Sequence, residues 1–327
     1  MPSIDIVLAK RLAQACDFVY HFDPARGKFT NDPPTIGNPD LDPPLIGGEN
    51  QTAVAGVMRY SVMTVLVFRG TIANVADDGF LPDWRENFEP TLITPDEGQG
   101  RVHQGFYAQL NFLKKQILAA LGPPPGPPLY ITGHSQGAAM AALATPWLTA
   151  QRFNVAATYT FAAPRPGDQA FADSVTTPVF RVEFGDDIVP HVPLSNESTE
   201  LLAALARNPL FQLPQLRPML DAVAGDYAAV GQLTYRRLLA DLPPYQDLQT
   251  DLSADVEIAL AKQREDLLLR ATLLLVENHL PAHYISMFDP NQWPGAIENA
   301  TEEIVGTSEE ILRSLAGKLP FKNPFSW

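Results

Sequence analysis

One serine in the sequence has neighbours that could make it a nucleophile. Ser135 stands in the run Gly133-His134-Ser135-Gln136-Gly137, after the apolar stretch 129–131 and before an alanine-rich stretch. A strand, a tight turn and a helix in this order form a nucleophile elbow, in which glycines give the backbone room and the helix N-terminus faces the reacting atom. Because the five-residue pattern also occurs by chance, a plain structural turn is the alternative interpretation.

A serine hydroxyl attacks a carbonyl only when a base accepts its proton, and an imidazole held by a carboxylate is the usual base. Two candidates for the carboxylate, Asp186 and Asp187, follow the strand-like stretch 179–184. Both could instead be ordinary turn residues. The sequence has six histidines. Two of them, His279 and His283, come late in the chain, just after the helix pattern at 253–277.

A negative charge that develops on the substrate oxygen needs two hydrogen-bond donors. The residue after the nucleophile usually supplies one of them through its backbone N–H, which here belongs to Gln136. Thr71, which closes the run Phe68-Arg69-Gly70-Thr71 after a nearly continuous apolar stretch, is the candidate for the second. The alternative for this run is a simple connection from strand to loop.

The elements that must position these residues can be predicted from the hydrophobic pattern. Apolar residues recur at helical spacing over 4–21, while 23–50 is rich in proline and glycine and predicts loops. Strands are expected at 52–60, 61–68, 129–132, 155–162, 178–184 and 229–238, and helices at 101–121, 253–277 and 300–318 and after Ser135. Strands that alternate with helices indicate an α/β protein with a mostly parallel sheet, covered on both faces.

The composition excludes several other classes of protein. With 327 residues, of which 46% are hydrophobic, the chain can bury a sizeable core, and its formal net charge of −14 disfavours binding to nucleic acid. No apolar stretch predicts a transmembrane segment. Cys16 is the only cysteine, so no internal disulfide is possible. The lack of a visible signal peptide and of disulfides favours the cytoplasm, although secretion by a non-classical route stays open.

Five motifs in one order carry a resemblance to a known family. They are Phe68-Arg69-Gly70-Thr71, Val102-His103-Gln104-Gly105-Phe106, Gly133-His134-Ser135-Gln136-Gly137, Thr160-Phe161-Ala162-Ala163-Pro164-Arg165-Pro166-Gly167-Asp168 and Asp187-Ile188-Val189-Pro190-His191-Val192-Pro193. A weaker sixth match is Val230-Gly231, at the start of a late strand. Together these runs resemble the class 3 lipases, an α/β-hydrolase group, over about residues 52 to 288.

The resemblance implies an esterase or lipase that forms an acyl-enzyme. Its catalytic residues would be Ser135, Asp187 and His279, because the family often has a histidine at such a helix start with a tyrosine five residues later, here Tyr284. Its oxyanion hole would use Thr71, including the hydroxyl, and Gln136. Two departures concern Gln136, where leucine is usual, and Ala138, where glycine is usual.

The resemblance also bears on domains, substrates and partners. It implies one α/β-hydrolase domain over 1–327, with a candidate lid at 72–100 and, from length alone, a helical insertion at 195–226. The alternative for 72–100 is a fixed loop whose aromatic side chains join the core. The substrate would be an ester, above all a lipid or acylglycerol at a lipid–water interface; phospholipase A1 or aryl-ester activity, or a catalytically silent binding protein, are the alternatives. No metal or other cofactor is expected, because no convincing ligand cluster or glycine-rich phosphate loop occurs.

Overall fold

The structure is a computed structural model, and it describes residues 3–30, 39–71, 91–96, 99–184, 187, 189–193, 225–236, 279 and 281–288. Several sequence predictions therefore lie outside the described residues. They are the helices at 253–277 and 300–318, the turn residue Asp186, most of the expected lid at 72–100 and nearly all of the expected insertion at 195–226.

Three of the described helices begin after a side chain that accepts a free backbone N–H group. The Asp5 carboxylate accepts the N–H of Leu8 at 3.0 Å, and the Asp168 carboxylate accepts the N–H of Phe171 at 2.9 Å. Such N-caps satisfy donors that have no partner inside the helix. The helices are α1 (Ile6–Tyr20), α2 (Gln104–Leu121), α3 (Gln136–Ala150), α4 (Gln169–Ser174) and α5 (Pro281–Ser286).

An eight-stranded sheet forms the centre of the described structure. The described strands are β1 (Phe22–Asp23), β2 (Lys28–Phe29), β3 (Asp40–Leu41), β4 (Leu45–Gly47), β5 (Ala53–Arg59), β6 (Thr64–Phe68), β7 (Leu92–Ile93), β8 (Val102–His103), β9 (Leu129–His134), β10 (Val155–Phe161), β11 (Val179–Phe184) and β12 (Gln232–Arg236). In the central sheet the order is β12-β11-β10-β9-β6-β5-β3, and β4 also pairs with β5.

Five neighbouring strands, from β12 across to β6, are parallel, while β5 runs antiparallel to β6. The strand that leads into Ser135, β9, lies between β6 and β10, with Gly133 opposite Phe68 and His134 opposite Phe161. The nucleophile elbow therefore follows a central strand, at the edge of the sheet where parallel strands end. In open α/β sheets this edge is the usual place for a ligand site.

Helices cover both faces of this sheet. Along β6, Val65 and Val67 belong to an apolar cluster with α1 and α5, whereas Leu66 and Phe68 belong to a second cluster with α2 and α3. Since successive side chains of a strand point to opposite faces, a strand between two cores must be apolar throughout. All five residues of β6 are buried, which confirms the predicted α/β architecture.

The structure differs from the sequence prediction in three places. The helix expected from residue 101 begins at Gln104, because Val102–His103 forms β8 and the His103 side chain caps the helix. The stretch 61–68 was expected to be strand throughout, but residues 61 and 62 form a bend and Val62 is 72% exposed. Residues 23–50 were expected to be loops, and they contain the short strands β2, β3 and β4, of which β3 and β4 pair with β5. Strands of two or three residues are too short to show an alternating pattern.

None of the described helices is both long enough and apolar enough to span a membrane.

Candidate active site

The turn between β9 and α3 places Ser135 in a conformation that is unusual for a residue with a side chain. Its φ is +57° and its ψ is −132°, and the residue is only 5% exposed. The Ser135 N–H donates to the carbonyl oxygen of Phe161 at 2.9 Å, and the Ser135 carbonyl accepts the N–H of Ala138 at 2.9 Å. Strain of this kind costs about 1–3 kcal/mol and persists only where surrounding contacts impose it, typically at functional sites.

Glycines on both sides of Ser135 allow the backbone to come this close, as the sequence predicted. A Cβ atom on Gly133 would lie 2.2 Å from the carbonyl oxygen of Gly137, and a Cβ on Gly137 would lie 2.3 Å from that of Phe68. Real Cβ atoms do not approach backbone atoms so closely. The glycines are thus required by steric contact between β6, β9 and α3.

The His279 imidazole bridges Ser135 and Asp187. Its Nε2 lies 2.8 Å from the Ser135 Oγ, and its Nδ1 lies 2.9 Å from Oδ2 and 3.2 Å from Oδ1 of Asp187. An ionised carboxylate can only accept hydrogen bonds, so Nδ1 carries the proton. Nε2 is then an acceptor, and it receives the hydroxyl proton of Ser135.

Asp187 is held from three sides. The residue is 2% exposed, and its carboxylate accepts the N–H of Val189 at 2.9 Å and the hydroxyl of Tyr284 at 2.7 Å, in addition to His279. Burial, together with the charge of Asp187 and the hydrogen bond to it, raises the pKa of Tyr284 well above its usual value. Tyr284 therefore stays protonated and remains a donor, which fixes the carboxylate in the direction of His279.

His134, the residue before Ser135, packs against the His279 ring. Its ring centroid lies 4.7 Å from that of His279, and its Nδ1 is 2.9 Å from the hydroxyl oxygen of Tyr20 on α1. Burial and the positive charge that His279 can carry lower the pKa of His134 well below 6.5, so this ring is neutral at neutral pH. Sequence reasoning missed Tyr20, because an aromatic residue at the end of an amphipathic helix predicts only core packing.

The loop after β6 brings Thr71 next to the elbow. A Cβ on Gly70 would lie 3.1 Å from the Cβ of Ser135, so the two segments are in direct contact. The Thr71 hydroxyl donates to the side-chain oxygen Oε1 of Gln136 at 2.7 Å. Gln136 is the first residue of α3, and the first N–H groups of a helix have no intrahelical partner. Both predicted oxyanion donors thus lie beside the nucleophile.

Other residues of the sequence motifs cap helices or end them. The His103 side chain accepts the N–H groups of Gly105 and Phe106 at the start of α2, and Asp168 binds Arg101 besides capping α4. His191 ends a short 3-10 helix, Val189–His191. Among the described residues, Ser135 forms its side-chain hydrogen bond with His279.

Two further histidines of the sequence, His21 and His283, lie at the end of α1 and on α5. His21 follows α1 and is exposed. His283 lies on α5, but its side chain is outside the described part of the structure.

The late glycine, Gly231, directly precedes β12 and has φ of +95°, in line with the weak sixth motif.

This arrangement can generate a nucleophile without a metal ion. A serine hydroxyl hydrogen-bonded to a neutral imidazole, which is held by a buried carboxylate, is suited to attack an acyl carbonyl. The described residues contain no group of three or more His, Cys, Asp or Glu side chains that could hold a metal ion.

The sequence is similar to those of known lipases. Residues 65–197 match the sequence profile of the family described as Lipase (class 3). A secreted mono- and diacylglycerol lipase 1 of Fusarium solani is 27% identical over 196 residues, which is 54% of this chain and 58% of that protein. The chain thus spans 58% of the length of this relative.

Solved structures of lipases share this fold. A triacylglycerol lipase whose catalytic centre is formed by a serine protease triad has a TM-score of 0.52 and 19% identity, over 76% of this chain and 88% of that one. A deletion mutant of the Rhizomucor miehei lipase, in complex with its propeptide, has a TM-score of 0.50 and 18% identity, over 72% and 68%. The profile match over residues 65–197 and the shared α/β-hydrolase fold agree with the motifs around Ser135: the chain is similar to the class 3 lipases.

Proposed function

We propose that this protein hydrolyses carboxylic esters of lipids through an acyl-enzyme. In this proposal Ser135 is the nucleophile, His279 is the general base and Asp187 orients the imidazole. Thr71 and the backbone N–H of Gln136 bind the oxyanion. The single observation that carries the proposal is the continuous chain of hydrogen bonds from Ser135 Oγ through His279 to Asp187, with links of 2.8 and 2.9 Å.

The proposed reaction has two halves. The Ser135 Oγ attacks the ester carbonyl carbon and transfers its proton to His279 Nε2, and the resulting tetrahedral intermediate carries its negative charge on the former carbonyl oxygen. When the intermediate collapses, the bond to the alcohol oxygen breaks and His279 returns the proton to this oxygen. Water then attacks the acyl-Ser135 ester with the same base, which releases the carboxylic acid and restores the serine hydroxyl.

The substrate class is proposed to be acylglycerols. The names of the similar proteins support this assignment, since one is a mono- and diacylglycerol lipase and another is a triacylglycerol lipase. The chain also carries a formal net charge of −14, which disfavours binding to strongly anionic lipid surfaces. A neutral lipid–water interface is therefore the partner that we propose.

The test is hydrolysis of p-nitrophenyl esters with two to sixteen carbons, followed by mono-, di- and triacylglycerols and a phospholipid. Wild type is compared with Ser135→Ala, His279→Ala and His283→Ala, and with His21→Ala as a matched exposed-histidine control. We expect the first two variants to lose about 10⁴-fold or more in kcat, as removal of a catalytic residue does. The His283 and His21 variants should stay within about tenfold of wild type, because neither side chain belongs to the proposed triad.

The outcomes separate the candidate residues and functions. A collapse of activity in His283→Ala, with His279→Ala unaffected, would move the role of base to His283. Release of fatty acid from phospholipid but not from acylglycerols would contradict the proposed substrate class. If the folded wild type has no more activity than Ser135→Ala, and a fluorophosphonate probe does not label it, the hydrolase proposal is wrong.

A further inference from the structure

The side chain of Gln136 occupies a position next to the oxyanion hole that its backbone role does not explain. Gln136 is 7% exposed, and its side-chain oxygen Oε1 accepts the hydroxyl of Thr71 at 2.7 Å. Leucine, the usual residue at this position in the resembling sequences, could not make this bond. The chain has therefore placed a buried amide in contact with one of the two proposed oxyanion donors.

The Thr71 hydroxyl can donate only one hydrogen bond at a time, and its bond to Gln136 uses that donor. A threonine hydroxyl has one proton to donate and two lone pairs that accept. In the arrangement of the structure, the Thr71 proton is directed to Gln136 Oε1. The same proton cannot at that moment be donated to a substrate oxyanion, so the bond must change before the hydroxyl of Thr71 can act as a donor.

The amide of Gln136 can make this change without leaving its place. Its nitrogen Nε2 is bonded to the same carbon as Oε1, so a half-turn of the amide plane exchanges the acceptor for a donor. Nε2 makes no hydrogen bond with the residues that the structure describes. After the half-turn, Nε2–H would donate to a lone pair of Thr71 Oγ1, and the Thr71 proton would be available to the oxyanion.

We propose that the Gln136 side chain is a positioning residue for the oxyanion hole. Its carbonyl holds the Thr71 hydroxyl in the free enzyme, and its N–H supports the same hydroxyl while that hydroxyl donates to the tetrahedral intermediate. The inference rests on the proposed ester hydrolysis. It is separate from the backbone N–H of Gln136, which every substitution except proline preserves.

A double-mutant cycle tests the inference. Gln136→Leu removes the amide, and Gln136→Glu keeps an acceptor but supplies no donor when ionised. Each is made in wild type and in Thr71→Val, which removes the hydroxyl with little change in shape. Gln151→Leu, at the exposed C-terminus of the same helix, is the matched control for the Gln-to-Leu substitution.

The expected results follow from the hydrogen bonds. Thr71→Val should lower kcat by about 10²-fold or more, as loss of one oxyanion donor does. Gln136→Leu should lower kcat by about tenfold and Gln136→Glu by about 10²-fold, because the carboxylate retains the Thr71 proton and repels the oxyanion. KM should change little, and Gln136→Leu should have less than about a threefold effect in the Thr71→Val background. Gln136→Glu should lose the part of its effect that comes from holding the Thr71 proton and keep the part that comes from repulsion of the oxyanion.

A second measurement keeps the test valid if a variant folds poorly. A trifluoromethyl ketone forms a tetrahedral adduct with the serine and places an oxyanion in the hole, and its inhibition constant is measured on the active molecules alone. We expect this constant to rise by the same factor as kcat falls, while inhibition by the product alcohol stays constant. The thermal unfolding midpoint of each variant reports on folding.

Three results would overturn the inference. The first is equal effects of Gln136→Leu in wild type and in Thr71→Val, because these would show that the two side chains act independently. The second is a Gln136→Glu variant that is as active as Gln136→Leu. The third is a wild type without ester hydrolysis or labelling at Ser135, which overturns the proposed function as well; the first two leave it intact.

Discussion

The hydroxyl of Tyr284 lies 2.7 Å from Asp187 Oδ2, the carboxylate oxygen that also accepts the proton of His279 Nδ1. One oxygen thus receives two donors, and both lie on the late segment 279–288 of the chain. Tyr284 is 1% exposed, and its ring contacts those of His134, Phe161 and Phe184. The orientation of the carboxylate is therefore set by the segment that carries the proposed base.

Replacing Tyr284 with phenylalanine keeps these ring contacts and removes the hydrogen bond. A hydrogen bond to a charged group is worth about 1.5–3 kcal/mol, so the free energy of unfolding at pH 7 should fall by about this amount. If about 1.4 kcal/mol of positioning is lost from the transition state, kcat falls about tenfold. Urea denaturation and ester hydrolysis measure the two effects.

Tyr227→Phe is the matched control for this substitution. Tyr227 is also buried, and its hydroxyl has no hydrogen-bond partner in the part of the chain that the structure describes. This control should match wild type in kcat. A Tyr284→Phe variant that equals the control in both stability and kcat would contradict the positioning role of Tyr284.

Asp187→Asn should leave the fold intact and nearly abolish activity. The amide group offers a donor where His279 Nδ1–H needs an acceptor, which favours the wrong imidazole tautomer, and this substitution typically costs about 10⁴-fold in kcat. Asp168→Asn is the control, since Asp168 is a buried carboxylate that caps α4 and binds Arg101. It should lose stability, while the kcat of the folded molecules stays within about tenfold of wild type. Equal kcat losses in both variants would show that the effect is not specific to the proposed triad.

His134 should make the stability depend on pH below neutrality. The pKa of His134 is lowered well below 6.5, mainly by burial, so in the folded protein the ring stays neutral where the unfolded chain binds a proton. Above pH 6.5 neither state is protonated, and this histidine contributes no pH dependence. As the pH falls below 6.5, the unfolded state gains the proton and the free energy of unfolding falls, by at most about 1.4 kcal/mol per pH unit.

Urea denaturation at several pH values between 7.5 and 5 tests this expectation. His134→Gln should flatten the pH dependence relative to wild type. Carboxylates titrate in both proteins and cancel in the comparison. An unchanged slope in His134→Gln would show that His134 does not remain neutral in the folded state.

Gly137→Ala should disrupt the elbow, because the new Cβ would lie 2.3 Å from the carbonyl oxygen of Phe68 and 2.8 Å from its carbonyl carbon. Overpacking of this kind costs about 1–3 kcal/mol or more, and backbone movement here displaces Ser135. Stability and kcat should therefore fall together. Gly126→Ala is the control: its Cβ would meet nothing within 4 Å, although φ is +62°, so it should cost only about 1–2 kcal/mol and leave kcat unchanged. A Gly137→Ala variant with normal kcat would contradict the steric explanation.

The sequence was sufficient to predict the elements that carry the site. Long apolar or periodic stretches predicted α1, β5, β6, β9, β10 and β11 to within a few residues, since packing on both faces of the sheet leaves a strong pattern. Chain order and short motifs also singled out Ser135, Asp187 and His279, which the structure brings into one hydrogen-bonded chain. Their catalytic roles remain predictions.

Contacts between distant side chains could not be predicted in the same way. Tyr20 and His134 are 114 residues apart, and Thr71 and Gln136 are 65 apart, so no local spacing relates the members of either pair. Gln136 was recognised only as a departure from the resembling sequences. Its bond to Thr71 depends on how the β6 loop and α3 meet, which is a property of the folded chain.

The separation of the catalytic groups along the chain has a consequence for folding. The bond between His279 and Ser135 spans 144 residues, and α5, which follows His279, packs against α1 near the other end of the chain. Closing so long a loop costs conformational entropy, which is offset only when His279 meets Ser135 and α5 packs against α1. In a refolding experiment, the sheet core can therefore form before Ser135 becomes reactive. Labelling of Ser135 by a fluorophosphonate would then count the molecules in which His279 has reached Ser135. Intrinsic fluorescence would report the earlier collapse of the core.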